Sequence, residues 1–133
     1  MKISVIIPFF NEAHTLKQTL LSLARQTLRP NEIILVDSGS TDDSVSIINE
    51  FVKDNRIDYI HIIHSGRMTP SSSINLGIKK AEGELIAYVD CDLDIPKKFS
   101  DAVSKTVIKK FNRKIILTNF VNFLKKQLNM TYN

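Results

Sequence analysis

Three carboxylates stand two residues apart in YVDCDLDIP, residues 88–96: Asp90, Asp92 and Asp94. They follow directly on an apolar run, Leu85-Ile86-Ala87-Tyr88-Val89. Acids this close repel one another, and burying them unpaired is costly. One partner that suits aspartate oxygens is a hard divalent cation, Mg2+ or Mn2+, which keeps several waters and bridges to phosphates. The other reading is a solvated turn whose acids cap a helix beginning near Pro96. A calcium loop would set Asp90, Asp92, Asp94 and Asp101 at its first, third, fifth and twelfth positions. Its sixth position needs glycine and holds Ile95, and the lead-in is strand-like rather than helical.

Two further loops carry polar groups of use to a ligand. In VDSGSTDDS (36–44), Gly39 permits a tight turn, and Ser40 and Thr41 open a helix whose free N–H groups attract an anion. Asp37 could hydrogen-bond a base or a ribose hydroxyl, or it caps the turn; Asp42 and Asp43 read as caps. In HSGRMTPSSS (64–73), Arg67 could pair with a phosphate or stack on a base. His61 and His64 read as structural. Cys91 lies between two acids, which raise a thiol's pKa, so it reads as a small buried residue. Neither G-x-G-x-x-G after the first strand nor G-x-x-x-x-G-K-[ST] occurs, so the dinucleotide fingerprint and the P-loop are excluded. Pro8-Phe9-Phe10 stands where a phosphoacceptor receiver domain needs acids.

The elements that must position these loops alternate in type. Residues 2–7, 32–37, 58–63 and 85–90 read as strands, the first stopped by Pro8. Residues 12–27 read as a helix with Leu16, Leu20, Leu23 and Ala24 on one face, and 42–54 as a second with Val45, Ile48 and Val52. Ser40 and Asp43 form a near capping box there. Residues 71–81 read as a third, with Ile74 and Ile78 on one face and Gly83 as its stop. Strands apolar on both faces, alternating with helices, predict an α/β fold: a mostly parallel, Rossmann-like sheet flanked by helices on both faces. Ligands of such sheets bind outside the carboxyl ends of the strands, and the polar residues gather there. Beyond Pro96, residues 97–111 fit a helix with Phe99, Val103 and Val107 on one stripe, and 115–124 fit a strand, a helix or both.

Length and composition suit one soluble globular domain: 133 residues, 43% hydrophobic and 24% charged. A single cysteine excludes an internal disulfide and fits a reducing compartment. The N-terminus lacks the features of a signal peptide, and no apolar run is long enough to span a bilayer, so a cytoplasmic location is the expectation. The net charge of +4 is unevenly spread: residues 1–94 carry −4 and residues 95–133 carry +8. That basic segment is either a solvated surface or a contact for anionic lipid headgroups at a membrane face. Nucleic acid is the weakest partner, since no recognition motif or interleaved aromatic–basic pattern is present.

VIIPFFNE, EIILVDSGSTDDS and INLGIKKAEGELIAYVDCDLDIP, in this order and spacing, resemble the nucleotide-binding half of family 2 glycosyltransferases. The resemblance covers residues 2–99 and implies the GT-A fold, a nucleotide-sugar donor (often a UDP-sugar), a divalent metal and inversion at the anomeric carbon. It implies that Pro8, Phe9, Asn11 and Glu12 form the first nucleotide-contacting loop. By the same resemblance Asp37, with Ser38 and Gly39 beside it, holds the base. Asp90 lies near ribose and diphosphate, and Asp92 is the metal ligand. Where the family often has Ala-Arg-Asn before a glycine, this chain has Ser73-Ile74-Asn75-Leu76-Gly77; Asn75 and Gly77 match, and Arg67 is the candidate for the missing basic contact. Family members continue into an acceptor-binding half that supplies a carboxylate base. After Asp94 only Asp101 is acidic, so the expectation is a donor-binding core at 1–99 with a basic segment at 100–133, truncated relative to a whole enzyme. The alternative is a non-catalytic nucleotide-sugar-binding module that needs a partner chain. A sugar nucleotidyltransferase would want a glycine- and arginine-rich loop after strand one, where PFFNEAH stands.

Overall fold

In the computed structural model, residues 2–92, 95, 97–98 and 115–117 are described. Five strands form one parallel sheet: β1 (Ile3–Phe9), β2 (Glu32–Asp37), β3 (Ile60–His64), β4 (Leu85–Tyr88) and β5 (Ile115–Leu117), in spatial order β3-β2-β1-β4-β5. Helices α1 (Leu16–Ala24), α2 (Ser44–Asp54) and α3 (Pro70–Lys80) fill the first three crossovers. The expected Asp94 and Phe99 lie outside the described residues, as does most of the helix expected over 97–111; of 115–124 only β5 is described.

Period-two alternation in the strands separates two cores. Ile3, Val5, Ile7 and Phe9 of β1, Ile33 and Leu35 of β2, and Leu85 and Ala87 of β4 face α1 and α2, where Leu16, Leu20, Leu23, Ile48 and Phe51 close over them. Ile6, Ile34, Val36 and Ile86 face the opposite way, toward Leu76, Ile78 and Ala81 at α3. The helices therefore lie on both faces of the sheet, as the doubly apolar strands require. Burying one such isoleucine is worth about 1.5–3 kcal/mol, so the central strands anchor the molecule.

Several boundaries differ from the sequence reading for identifiable reasons. β1 runs through Pro8 rather than stopping before it. Ile6 O accepts from Val89 N on the β4 side (3.0 Å), and Phe9 O accepts from Ser38 N on the β2 side (3.0 Å). Position 8 therefore faces β4, and the β1–β4 ladder ends at Ile6 opposite Tyr88. The missing proline N–H falls where no ladder partner remains, which is where a strand tolerates proline. α1 is shorter than expected because Glu12 O accepts from both Thr15 N and Leu16 N, making a turn before the helix. α2 begins at Ser44, and the Ser40–Asp43 capping box does not form: Asp43 makes no side-chain cap, while Ser40 Oγ accepts from Asn11 N (2.9 Å).

α3 is capped by Thr69, whose hydroxyl accepts from Ser72 N (3.2 Å), with Pro70 preset in the first turn and Lys79 and Lys80 at the end that favours cations. Its most buried positions are Ser73 and Gly77 rather than Ile74 and Ile78, because helix and sheet meet at close range there. Gly83 is not the helix stop. Ala81 ends α3 in extended conformation, and Gly83 N donates to Ser4 Oγ (2.8 Å). A Cβ on Gly83 would stand 2.8 Å from Ser4 N, so glycine is needed for close approach to β1.

Candidate functional site

The chain leaves β1 toward β2 on one side and returns from β3, by way of α3, to β4 on the other. β1 and β4 are neighbours whose adjoining helices lie on opposite faces, α1 on one and α3 on the other, and the carboxyl edge beside such a pair is the usual ligand position in these sheets. A cavity of about 580 Å³ lies there. Pro8, Phe9, Phe10 and Glu12 line it from the first loop, and Ser38 from the second. Arg67, Met68 and Pro70 line it from the third, and Tyr88, Asp90, Cys91 and Asp92 from the fourth.

Seven of the residues singled out in the sequence thus meet on one lining: Pro8, Phe9, Glu12, Ser38, Arg67, Asp90 and Asp92. Asn11, Asp37, Gly39 and Asn75 are not on it, and the first three instead build the wall. Asn11 sits at φ 51° and accepts from Thr41 N (2.7 Å) and Asp42 N (3.3 Å), while its own N–H reaches Ser40 Oγ. Asp42 in turn accepts from Ala13 N (3.2 Å), and Ser44 Oγ accepts from Glu12 N (2.9 Å). The first and second loops are knitted together by these bonds. The Ser44 hydroxyl beside Asp42 is the main reason its carboxyl titrates below the ordinary 3.8.

Asp37 is buried at the end of β2. Oδ1 accepts from Ser40 N (2.8 Å), fixing the turn, and Oδ2 lies 3.3 Å from Nδ1 of the exposed His64. Gly39 sits at φ 87°, a conformation that favours glycine, and a Cβ there would point toward the backbone of Gly66 and Arg67. Ser38 Oγ bonds Ser73 Oγ at 2.9 Å beneath the cavity and ties α3 to the sheet. Asn75 is exposed on α3.

Phe10, Met68, Pro70, Tyr88 and Cys91 belong to the lining and were not among the expected site residues. Phe10 is 50% exposed and Met68 40%, so the mouth has apolar edges around a polar floor. Strand alternation signals Phe10, since Phe9 turns into the core and its neighbour must turn out. The same period-two argument places Tyr88 with Asp90 and Asp92. Nothing local signals Met68, in the loop before α3, or Pro70, the first residue of α3.

The floor is strongly anionic. Burial and the neighbouring acids, Asp90 above all, push the Tyr88 phenol up to about 12, and its hydroxyl donates to Asp90 Oδ1. Burial, then the charge of Glu12, pushes the Cys91 thiol up to about 12, the inert buried thiol expected from its neighbours. Among the described residues, no three histidine, cysteine or acidic side chains converge to cage a metal alone. A pair of aspartates beside an open cavity suits Mg2+ or Mn2+, which completes its shell with water and phosphate oxygens. Arg67 supplies a cation on the same lining.

A parallel sheet in this order with acids at its switch point is a Rossmann-like α/β core, and its likeness to solved glycosyltransferases makes it a GT-A core. The chain belongs to glycosyl transferase family 2, whose family model matches residues 4–131. It is 37% identical over 108 residues to the cholesterol galactosyltransferase of Borreliella burgdorferi, covering 81% of this chain and 27% of that protein. It superposes on S. aureus TarS 1-349 in complex with UDP-GlcNAc with a TM-score of 0.71 at 29% identity, covering 80% of this chain and 31% of that one. Against GalNAc-T7 with UDP, GalNAc and Mn2+ the TM-score is 0.61 at 27% identity, over 68% of this chain and 18% of that one. The chain spans 13% of the length of one curated relative, a glycosyltransferase of Rickettsia bellii, and 40% of another, the glycosyltransferase GlyG of Streptococcus pneumoniae. Among the described residues, no helix is long and apolar enough to cross a membrane.

Proposed function

We propose that this chain forms the donor-binding core of a family 2 glycosyltransferase. It takes a nucleotide-sugar, in the first instance a UDP-sugar, together with Mg2+ or Mn2+, and hands the sugar to an acceptor with inversion, in the synthesis of a polysaccharide or glycolipid. The observation that carries this reading is the convergence of Asp90, Asp92 and Arg67 on one cavity at the switch point of the sheet. The solved relatives that hold UDP-GlcNAc, and UDP with Mn2+, on the same fold support it. A divalent ion held by Asp92 and Asp90 would supply positive charge against the diphosphate as the nucleotide leaves.

The chain's own groups do the rest of the positioning. Arg67, on the same lining, would pair with the same phosphates. Phe10 and Met68 offer apolar edges to the planar base, and Pro8 and Phe9 add apolar surface to the same lining. Asp37, held by the Ser40 N–H, fixes the turn from which Ser38 reaches the lining. The acceptor-binding site, and the base that deprotonates the acceptor hydroxyl, come from outside this donor-binding core or from a partner chain. The basic segment from residue 95 onward fits a peripheral contact with an anionic membrane face on the cytoplasmic side.

Calorimetric titration of UDP with Mn2+ tests the reading. Uptake by the wild type that is lost in Asp92→Ala supports it. Uptake of neither ion nor nucleotide by the folded wild type, or equal uptake by the variant, refutes it. Donor hydrolysis measured on the same sample separates a catalytic core from a module that only binds.

A further inference from the structure

Tyr88 closes β4, and its position is set by the ladder: its Cα stands opposite Ile6, the last pair of the β1–β4 register. Ile6 is fully buried, so this end of β4 is held in place. The tyrosine ring is half-buried and lines the cavity, and its hydroxyl donates to Oδ1 of Asp90, two residues on. Oδ2 of Asp90 accepts no hydrogen bond from the described residues. A carboxylate on a loop ordinarily rotates and offers either oxygen. Here a donor on a fixed strand end engages one oxygen of a cavity-lining carboxylate and leaves the other without a hydrogen-bond donor among the described residues.

We propose that Tyr88 is a positioning residue for the divalent cation: its hydroxyl holds Asp90 so that a single oxygen is presented beside Asp92. This rests on the reading of Asp90 and Asp92 as the cation pair. Hydrogen bonds of this kind set the orientation of ligating carboxylates, and losing one typically weakens metal binding about 10–100-fold. Tyr88 would not itself be a ligand, and its contribution would run entirely through Asp90. A hydroxyl that served packing alone would act independently of Asp90.

The test is a Mn2+ titration, with and without UDP, of the wild type, Tyr88→Phe, Asp90→Ala and the double variant, following free Mn2+ by electron paramagnetic resonance. Tyr88→Phe keeps the ring, so its thermal midpoint should match the wild type while Mn2+ affinity falls about tenfold. In the Asp90→Ala background the same change should add nothing. Wild-type affinity in Tyr88→Phe, tighter binding, or a full tenfold loss repeated in the Asp90→Ala background overturns the assignment. If the wild type takes up no Mn2+, the acid pair itself is misread and the role of Tyr88 falls with it. Should Tyr88→Phe unfold, the intact protein labelled at the tyrosine ring carbons gives the answer. The Tyr88 resonance should shift on adding Mg2+ while that of Tyr59, at the opposite edge of the sheet, stays. An unmoved Tyr88 resonance overturns the proposal.

Discussion

Gly77 sits in the eleven-residue helix α3 and faces the sheet. Alanine there would gain about 1 kcal/mol from helix propensity. Against that, the new methyl would stand 2.6 Å from Cγ2 of Ile6, 3.3 Å from its Cδ1 and 3.4 Å from Cγ2 of Val36. Cγ2 of Ile6 is attached directly to a β-branched Cβ in the central strand, so it cannot swing aside as a long side chain would. Overpacking costs about 1–3 kcal/mol, and the rigid neighbour argues for the upper end. Subtracting the propensity gain leaves Gly77→Ala less stable by about 2 kcal/mol. Urea denaturation followed by circular dichroism measures this as a lower midpoint with an unchanged slope. The same shift should weaken UDP binding, because α3 carries Pro70 to the cavity mouth and Ser73 against Ser38. A variant as stable as the wild type, or about 1 kcal/mol more stable, would show that propensity wins and that the close approach is not what holds α3.

Asn11→Ala removes the acceptor for the Thr41 and Asp42 N–H groups and places alanine at a positive φ, so a stability loss of about 1–2 kcal/mol is expected. Asn11→Gly, which relieves only the backbone, should recover part of it by the same denaturation assay. The Asp42 carboxyl has a folded pKa below the ordinary 3.8. Its contribution is therefore complete above that pH and is lost as pH falls through the lowered value. Asp42→Asn should flatten the acid limb of thermal stability below about pH 4 and leave the neutral limb's slope unchanged. Cys91 has its thiol pushed from 9.0 to about 12, which lowers the thiolate population about a thousandfold at pH 8. Alkylation by iodoacetamide should be slow in the native protein and fast in urea; equal rates would mean the thiol is not buried.

Local features in the chain reach far toward the fold. The doubly apolar strands and the helical stripes between them are periodicities of a few residues. They were enough to expect a parallel sheet with covered faces and a rim of polar loops, and Asp90, Asp92, Glu12 and Arg67 do share that rim. The order of the strands carries no such local signal. It was set by which apolar faces α1, α2 and α3 could bury, and the crossover of α3 placed β4 beside β1. That choice also let β1 run through Pro8, because β4 had already parted from it. It brought Met68 and Pro70 to the mouth from a distant loop. It set Asn11 and Asp37 as acceptors for the N–H groups of the loop after β2. Residue type and spacing report what a side chain is able to do. The partner that engages it depends on long-range packing, and spacing along the chain does not encode that.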